Sequence, residues 1–191
     1  MGTRGLYGIR KNGIDKTTYN HFDSYPSWLG ANIVNFIKKH SIEELNEFYE
    51  RIILVNGNSV PTDEQKANCV KYGSVNRSVS NQSTNDWYCL LRNFQGDLEA
   101  LYNVDVPYMI DDRDFIKDSL FCEYAYIINL DDNVLEFYEG FQHKPQVDNR
   151  YGTTASNGYY PCKLMAEIPL AEIQVTTNDI IAKYMTENDE E

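Results

Sequence analysis

A stretch near the amino terminus, residues 3–20, has the sequence TRGLYGIRKNGIDKTTYN and decides how the fold begins. Residues 3–10 and 14–20 alternate apolar with small or polar side chains, as β-strands with one buried face do. Between them lies Asn12-Gly13, which favours a tight hairpin turn because both residues tolerate positive φ. The chain is therefore expected to begin with a β-hairpin.

A second hairpin is predicted in the carboxy-terminal third. Residues 121–130 and 133–141 are rich in aromatic and β-branched side chains, which favour strands. The turn-forming sequence Asp131-Asp132-Asn133 joins them. With a further strand over about 160–168, the two hairpins predict one antiparallel sheet.

Four to five helices are expected to pack on this sheet. Pro26 suits the first turn of a helix, with Asp23 or Ser24 as its cap. Capping boxes beginning at Ser41 and Thr62 start two more helices. Gly96 is expected to break or kink another. The predicted helices lie at about 26–39, 42–53, 63–72, 87–102 and 178–185, so the fold class is α+β.

Length and composition favour a single domain. The chain has 191 residues, of which 42% are hydrophobic, and this is enough for one core. We expect residues 1–185 to form that α+β domain and the acidic residues 186–191 a disordered tail. No apolar run approaches the roughly 20 residues that cross a bilayer, and residues 1–30 lack the apolar segment of a secretory signal. A cytoplasmic protein without membrane contact is expected.

Neither cysteine spacing nor acidic clusters indicate a metal site. The cysteines at 69, 89, 122 and 162 are separated by 20, 33 and 40 residues, unlike a zinc site. Buried reduced thiols are expected, with two disulfides as the alternative. Residues 111–114 bring three carboxylates together but lack the spacing of a calcium loop, so a solvated turn is expected. Nucleotide-binding and familiar hydrolase motifs are absent, and no cofactor is predicted.

The net charge of −12 is unevenly distributed along the chain. Residues 1–40 carry six Lys or Arg against two acids, whereas residues 97–139 carry twelve Asp or Glu against two basic residues, a net of −10. Such a field repels nucleic acid and attracts basic partners. The acidic stretch is interpreted either as a binding face, for example one that mimics DNA charge, or as an ordinary solvated face. Fifteen tyrosines suit an interface or a tyrosine-rich core.

Residues 19–25 concentrate the groups that a chemical site needs. In an extended strand Tyr19, His21 and Asp23 face one side, so Asp23 would orient the imidazole of His21 as a general base. In the alternative interpretation Asp23 and Ser24 cap the next helix and His21 packs beneath it. The candidate catalytic residues are His21, Asp23 and Arg4, and the candidate ligand-binding residues are Tyr19, Asn20 and Tyr25.

The first thirty residues also carry a resemblance. The opening Met-Gly-Thr-Arg-Gly and the later Thr-Tyr-Asn-His-Phe-Asp-Ser-Tyr-Pro are similar to the start of a family of uncharacterised phage and bacterial proteins. The resemblance implies a mobile-element setting, in which small acidic proteins often inhibit host defence. It implies a host protein as the partner, reached in the host cytoplasm.

A more distant resemblance is to amino-terminal nucleophile hydrolases, which expose Cys, Ser or Thr at a processed terminus. Loss of Met1 would here expose Gly2, which has no nucleophile, and Thr3 lies one residue too far along. Two functions remain, and neither specifies an oligomeric state. The first is a non-enzymatic protein that binds a host protein through an acidic, tyrosine-rich surface. The alternative is a hydrolase or small-ligand binder built around Arg4, Asn20, His21 and Asp23.

Overall fold

A five-stranded sheet is the centre of the computed structural model, which describes residues 2–185. Its strands run in the order β2-β1-β5-β6-β7, and β3 and β4 form a separate two-stranded sheet. Neighbouring strands of the large sheet are antiparallel except β1 and β5, which are parallel. The strands of the described residues are β1 (Gly5–Lys11), β2 (Ile14–Asn20), β3 (Ile53–Val55), β4 (Tyr108–Ile110), β5 (Tyr124–Asn129), β6 (Val134–Glu139) and β7 (Lys163–Pro169).

Both predicted hairpins are present, and a pairing that was not predicted joins them. Asn12 and Gly13, with φ of 53° and 72°, turn β1 into β2, and Asn133, with φ of 54°, lies in the turn between β5 and β6. The parallel β1–β5 pair sets the starts of these two strands side by side. One end of the sheet, here called the Gly5 end, therefore gathers the residues before β1 and β5 and those after β2 and β6.

The α+β class is confirmed, but there are more helices than the four to five predicted. The expected helix over 87–102 is interrupted at Gly96, whose φ is 82°, and becomes α4, a 3-10 turn Arg92–Phe94 and α5. An additional helix, α6, follows β7 directly and has no side-chain cap, so no capping residue marked it. The described helices are α1 (Ala31–Lys39), α2 (Ile42–Arg51), α3 (Asp63–Tyr72), α4 (Trp87–Leu91), α5 (Leu98–Tyr102), α6 (Leu170–Val175) and α7 (Ile180–Tyr184).

Two local predictions at helix starts had different outcomes. The capping boxes of α2 and α3 are formed by Ser41 and Thr62, as predicted. The predicted cap of the first helix is wrong, because the chain enters α1 through a π-helical turn, Pro26–Gly30, whose N-cap is Tyr25 without a side-chain hydrogen bond. Ser24 is buried instead and accepts a hydrogen bond from the Asn20 amide.

Three buried clusters hold these elements together. The largest lies between one face of the sheet and helices α1, α2 and α6, and the second lies on the other face around Leu6 and Ile127. The third joins α3, α4 and the two-stranded sheet around Trp87. All four cysteines are buried and unpaired. None of the helices within residues 2–185 has the length and apolar character to cross a membrane, and the predicted tail at 186–191 lies outside the described residues.

An ionic network around the buried Glu136 carboxylate occupies the sheet face that lies away from α1 and α2. Arg150 forms a bidentate pair with Glu136, whose carboxylate also accepts hydrogen bonds from Asn129 (2.8 Å) and Tyr138 (2.9 Å). The Tyr151 hydroxyl connects Arg150 to Asp15. Every charged group here has an opposite charge or a hydrogen-bonding partner. The Glu136 network comprises Arg10, Asp15, Asn129, Glu136, Tyr138, Arg150 and Tyr151.

Candidate functional site

A hydrogen-bonded pair, Tyr19 and His21, lies at the Gly5 end. The Tyr19 hydroxyl is 2.7 Å from His21 Nδ1, and the two side chains share a face because they are two positions apart on extended chain. The backbone N–H of His21 donates to Gln95 Oε1 at 2.9 Å. These contacts fix the imidazole at the point where β2 ends.

Asp23 is not part of this pair. The chain turns at Asp23, with φ of 53°, and the Asp23 carbonyl accepts the N–H of Leu29 at 3.2 Å. Its carboxylate is exposed and makes no hydrogen bond or ion pair with another residue of 2–185. The partner of the His21 imidazole is therefore Tyr19, and the alternation that aligned Asp23 with His21 stops because the strand stops at Asn20.

Asn20 points away from His21, as expected for the next residue of a strand. It is buried, and its amide donates to Ser24 Oγ at 2.9 Å and to the Phe22 carbonyl. A Cβ added at Gly96 would lie 2.9 Å from Asn20 Oδ1. Asn20 therefore packs the turn after β2 against the Gly96 loop and does not face a ligand site.

Two guanidinium groups flank the Tyr19–His21 pair. Arg4 precedes β1, and its Cζ lies 5.3 Å from the centre of the Phe121 ring. Arg92 Cζ lies 5.4 Å from the centre of the Phe22 ring, and that ring is 4.3 Å from the His21 ring. Within the part of the chain that the structure describes, neither arginine forms an ion pair. Aromatic faces hold both cations, which leaves their N–H donors available.

The electrostatics of the pair follow from this arrangement. Burial lowers the pKa of His21 below its ordinary value of 6.5, and the cations of Arg92 and Arg4 lower it further. Burial raises the pKa of Tyr19, and Arg4 opposes that rise. Near neutral pH the imidazole is therefore uncharged and the phenol is protonated. We assign Tyr19 as the donor to Nδ1, which leaves the proton of His21 on Nε2 and directs it away from the strand.

An open groove of about 570 Å³ borders Tyr19. Asp112 lines it and accepts hydrogen bonds from the Tyr19 N–H (3.0 Å) and the Thr18 hydroxyl (3.2 Å), so it covers the free edge of β2. Burial raises the pKa of the Asp112 carboxyl. Other groove residues are Asn58, Ser59, Asn81, Asn85, Asp86, Tyr88 and Phe115.

Five large aromatic side chains, here called the aromatic surface, are exposed at or beside the Gly5 end. Their exposed fractions run from 39% to 62%. Tyr25 belongs to this group, with its ring 6.1 Å from that of Tyr124. Trp28 is the most exposed of the five and lies in the π-helical turn that leads into α1. The aromatic surface comprises Phe22, Tyr25, Trp28, Phe121 and Phe141.

Carboxylates of the acidic stretch 97–139 form intramolecular hydrogen bonds and ion pairs, and most tyrosines are buried or half-buried. Asp97 caps α5, Glu99 bonds to His40, and Asp114 pairs with Lys117. Of the fifteen tyrosines, Tyr25 alone is exposed, and the others are buried or half-buried. Across residues 2–185, no three His, Cys, Asp or Glu side chains are grouped to hold a metal ion.

Comparison of the chain with protein-family models, with curated proteins and with solved structures gave no match. The interpretation of the site therefore depends on its own geometry. The resemblance of the first thirty residues to phage and bacterial proteins stays a prediction.

Three residues of the site escaped the sequence analysis. Arg92 and Gln95 are more than 70 positions from His21, and Phe121 lies a hundred positions away. Arg92 sits in a 3-10 turn between two short helices, where no periodicity or motif distinguishes it. Arg92 fell inside the predicted helix over 87–102 and Phe121 at the start of the predicted strand over 121–130, so neither carried a signal of a site.

Proposed function

We propose that this protein is a non-enzymatic binding protein of phage or mobile-element origin that docks on a host protein through the aromatic surface. The observation that carries the proposal is the exposure of five large aromatic side chains at one end of the sheet. Large aromatic side chains exposed together at one end of a fold are typical of interaction sites. Trp, Tyr and Arg are the residues that contribute most to binding at interfaces.

The proposal places docking at the Gly5 end and not on the acidic stretch. Most tyrosines are packed into the molecule, and the carboxylates of residues 97–139 are largely engaged in caps and ion pairs. By contrast, the aromatic surface is accessible and lies beside Arg4 and Arg92. The resemblance of residues 1–30 supports a host protein as the partner, an inhibitory effect on host defence, and the host cytoplasm as the place of action.

A small-ligand binder is the second candidate function, and the convergence of Arg4, Tyr19 and His21 favours it. Hydrolysis finds less support. Asp23 does not orient His21, and Asn20 is turned away. The geometry at the Gly5 end thus supports recognition of a ligand more than covalent catalysis.

The docking proposal is tested by capture from a bacterial lysate followed by binding measurements with the purified partner. Trp28→Ala and Phe121→Ala should each weaken binding about tenfold or more, because truncating a central aromatic anchor costs more than about 1.4 kcal/mol. Ile14→Ala is the matched control, since Ile14 is 49% exposed and lies beside the β1–β2 turn at the opposite end of the sheet. It should bind as the wild type does.

Thermal melting of all three variants checks that folding is unchanged. Equal loss of binding in Ile14→Ala, or wild-type affinity in both Trp28→Ala and Phe121→Ala, would contradict docking through the aromatic surface.

A further inference from the structure

We infer that Arg4, His21 and Arg92 form a binding site for a phosphate group at the Gly5 end. The three side chains come from before β1, after β2 and the 3-10 turn behind α4. The Tyr19 hydroxyl at 2.7 Å holds the imidazole, and two aromatic rings support the guanidinium groups. Arg92 lies over the Phe22 ring that contacts the His21 ring, and the charges of Arg4 and Arg92 both act on the imidazole. The Gly5 end thus presents N–H donors from three separate elements.

Arg4 and Arg92 are half-buried arginines that have no carboxylate partner among the described residues. The chain carries a net charge of −12, and three other arginines each have a carboxylate partner within 2.8 Å. Arg51 is satisfied by the carbonyls of Tyr102 and Val104. Arg77 also has no charged partner, but it is exposed. Arg4 and Arg92 are half-buried and held by aromatic rings at the same end of the sheet, and this indicates that their anion comes from outside.

The carboxylates nearest the cluster are committed elsewhere. Glu123 Oε1 accepts the backbone N–H of Arg4 at 3.2 Å, and Asp112 accepts from β2. The exposed carboxylate of Asp23 forms no ion pair with Arg4 or Arg92. None of these groups neutralises either guanidinium by direct contact.

The chemistry of the donors favours phosphate. Guanidinium groups match the oxygens of phosphate and carboxylate through paired N–H donors. Phosphate offers three strong acceptor oxygens, one for each of the three side chains, whereas a carboxylate offers two. Contacts of Arg4 and Arg92 with aromatic faces limit the rotamer freedom that binding would otherwise remove.

The test is an NMR titration of the three histidines with and without inorganic phosphate, using the full chain. An anion beside His21 should raise its pKa by about 1, because an opposite charge favours the protonated imidazole. His40 and His143 provide internal references and should not respond. Acetate at the same ionic strength is the control for general charge effects and should leave the pKa of His21 within its error.

Arginine variants identify the groups that bind. In Arg92→Gln and Arg4→Gln the pKa of His21 should rise in the free protein, since a nearby cation is removed, but phosphate should no longer move it. Phosphate affinity should fall about tenfold or more in each, as expected for loss of a charge-assisted hydrogen bond. Arg77→Gln is the matched control, because Arg77 is exposed and has no charged partner among the described residues. Its phosphate response should equal that of the wild type.

A phosphoseryl peptide and inorganic phosphate, compared directly, distinguish a partner-borne phosphate from a free one. Tighter binding of the peptide than of its unphosphorylated form and of inorganic phosphate assigns the group to a partner, and equal affinities assign it to a free ligand. The inference is overturned if phosphate does not move the pKa of His21, if acetate moves it equally, or if Arg92→Gln responds as the wild type does. Trp28→Ala should keep phosphate binding, which separates this result from failure of the docking proposal.

Discussion

Two clusters of charge lie on the same face of the sheet, at opposite ends of the β1–β2 hairpin. In the Glu136 network, Arg150 and Arg10 each meet a carboxylate at 2.8 Å or less. At the Gly5 end, Arg4 and Arg92 meet aromatic rings and form no ion pair with the described residues. Arginine therefore has two roles in this protein, and the contact that each one makes distinguishes them. An arginine paired with a carboxylate stabilises the fold, and an arginine without an ion pair is available to a ligand.

The difference has a physical origin in desolvation. Glu136 is almost fully buried, so its charge is tolerable only with a complete set of hydrogen-bonding partners. Arg4 and Arg92 are only partly buried, and water satisfies their unused donors until an anion replaces it. Variants of the two clusters should therefore differ most in the stability they cost.

Glu136→Gln should cause the largest loss of stability. It removes the counter-ion of Arg150, whose side chain is 29% exposed, and leaves a neutral amide at the buried Glu136 position, which costs up to about 3 kcal/mol of unfolding free energy. Urea denaturation measures the change. The double variant Glu136→Leu with Arg150→Met removes both charges and should recover at least half of the loss. A cost for Glu136→Gln no larger than that of an exposed ion pair would mean that the network is hydrated.

Asp112→Ala should cause an intermediate loss. It removes the acceptor for the Tyr19 N–H and the Thr18 hydroxyl, which costs about 1 to 2 kcal/mol when the donor stays buried. Asp112→Asn keeps an oxygen acceptor and removes a charge that burial disfavours, so its unfolding free energy should match the wild type. Equal losses in both variants would show that the negative charge itself is required at the edge of β2.

Arg92→Gln should change the unfolding free energy by less than about 0.5 kcal/mol, as surface substitutions without a structural partner do. The same variant should abolish the response to phosphate. Together with Glu136→Gln it tests the comparison directly, because one charge change affects stability and the other affects binding. A loss for Arg92→Gln approaching that of Glu136→Gln would remove the distinction between the two clusters.

The smallest expected effect is a pH dependence that comes from His21. The pKa of His21 in the folded protein lies below the unfolded value near 6.5. As the pH falls, the unfolded chain therefore binds more protons than the folded protein does. This contribution to stability is complete above about pH 6.5 and is lost as the pH falls from there through the lowered pKa. Unfolding free energies of wild type and His21→Gln at pH 7.5 and 5.5 should show a smaller difference in the variant. A steeper dependence in His21→Gln would contradict the lowered pKa.

The local elements were predictable wherever a residue type favours one local structure, such as a tight turn or a helix N-cap. Asn12-Gly13 indicated the first turn, and Ser41 and Thr62 indicated two helix starts, since capping and positive φ depend on near neighbours. The prediction failed at Asp23, whose side chain suits a cap but whose backbone forms a turn into a π-helical segment. Strands β3 and β4 have three residues each, too few to show an alternation.

The sequence alone determined the two hairpins, the α+β class and the placement of Tyr19 and His21 on one face, because each depends on spacing along a few residues. Only the tertiary structure decided that β1 lies parallel to β5, and this pairing sets Phe121 beside Arg4 and gathers the aromatic surface at one end. Which arginines are paired is decided in the same way. Arg150 meets Glu136 from the loop after β6, and Arg92 lies over the Phe22 ring beside His21. The energy of such contacts depends on burial that local sequence does not encode.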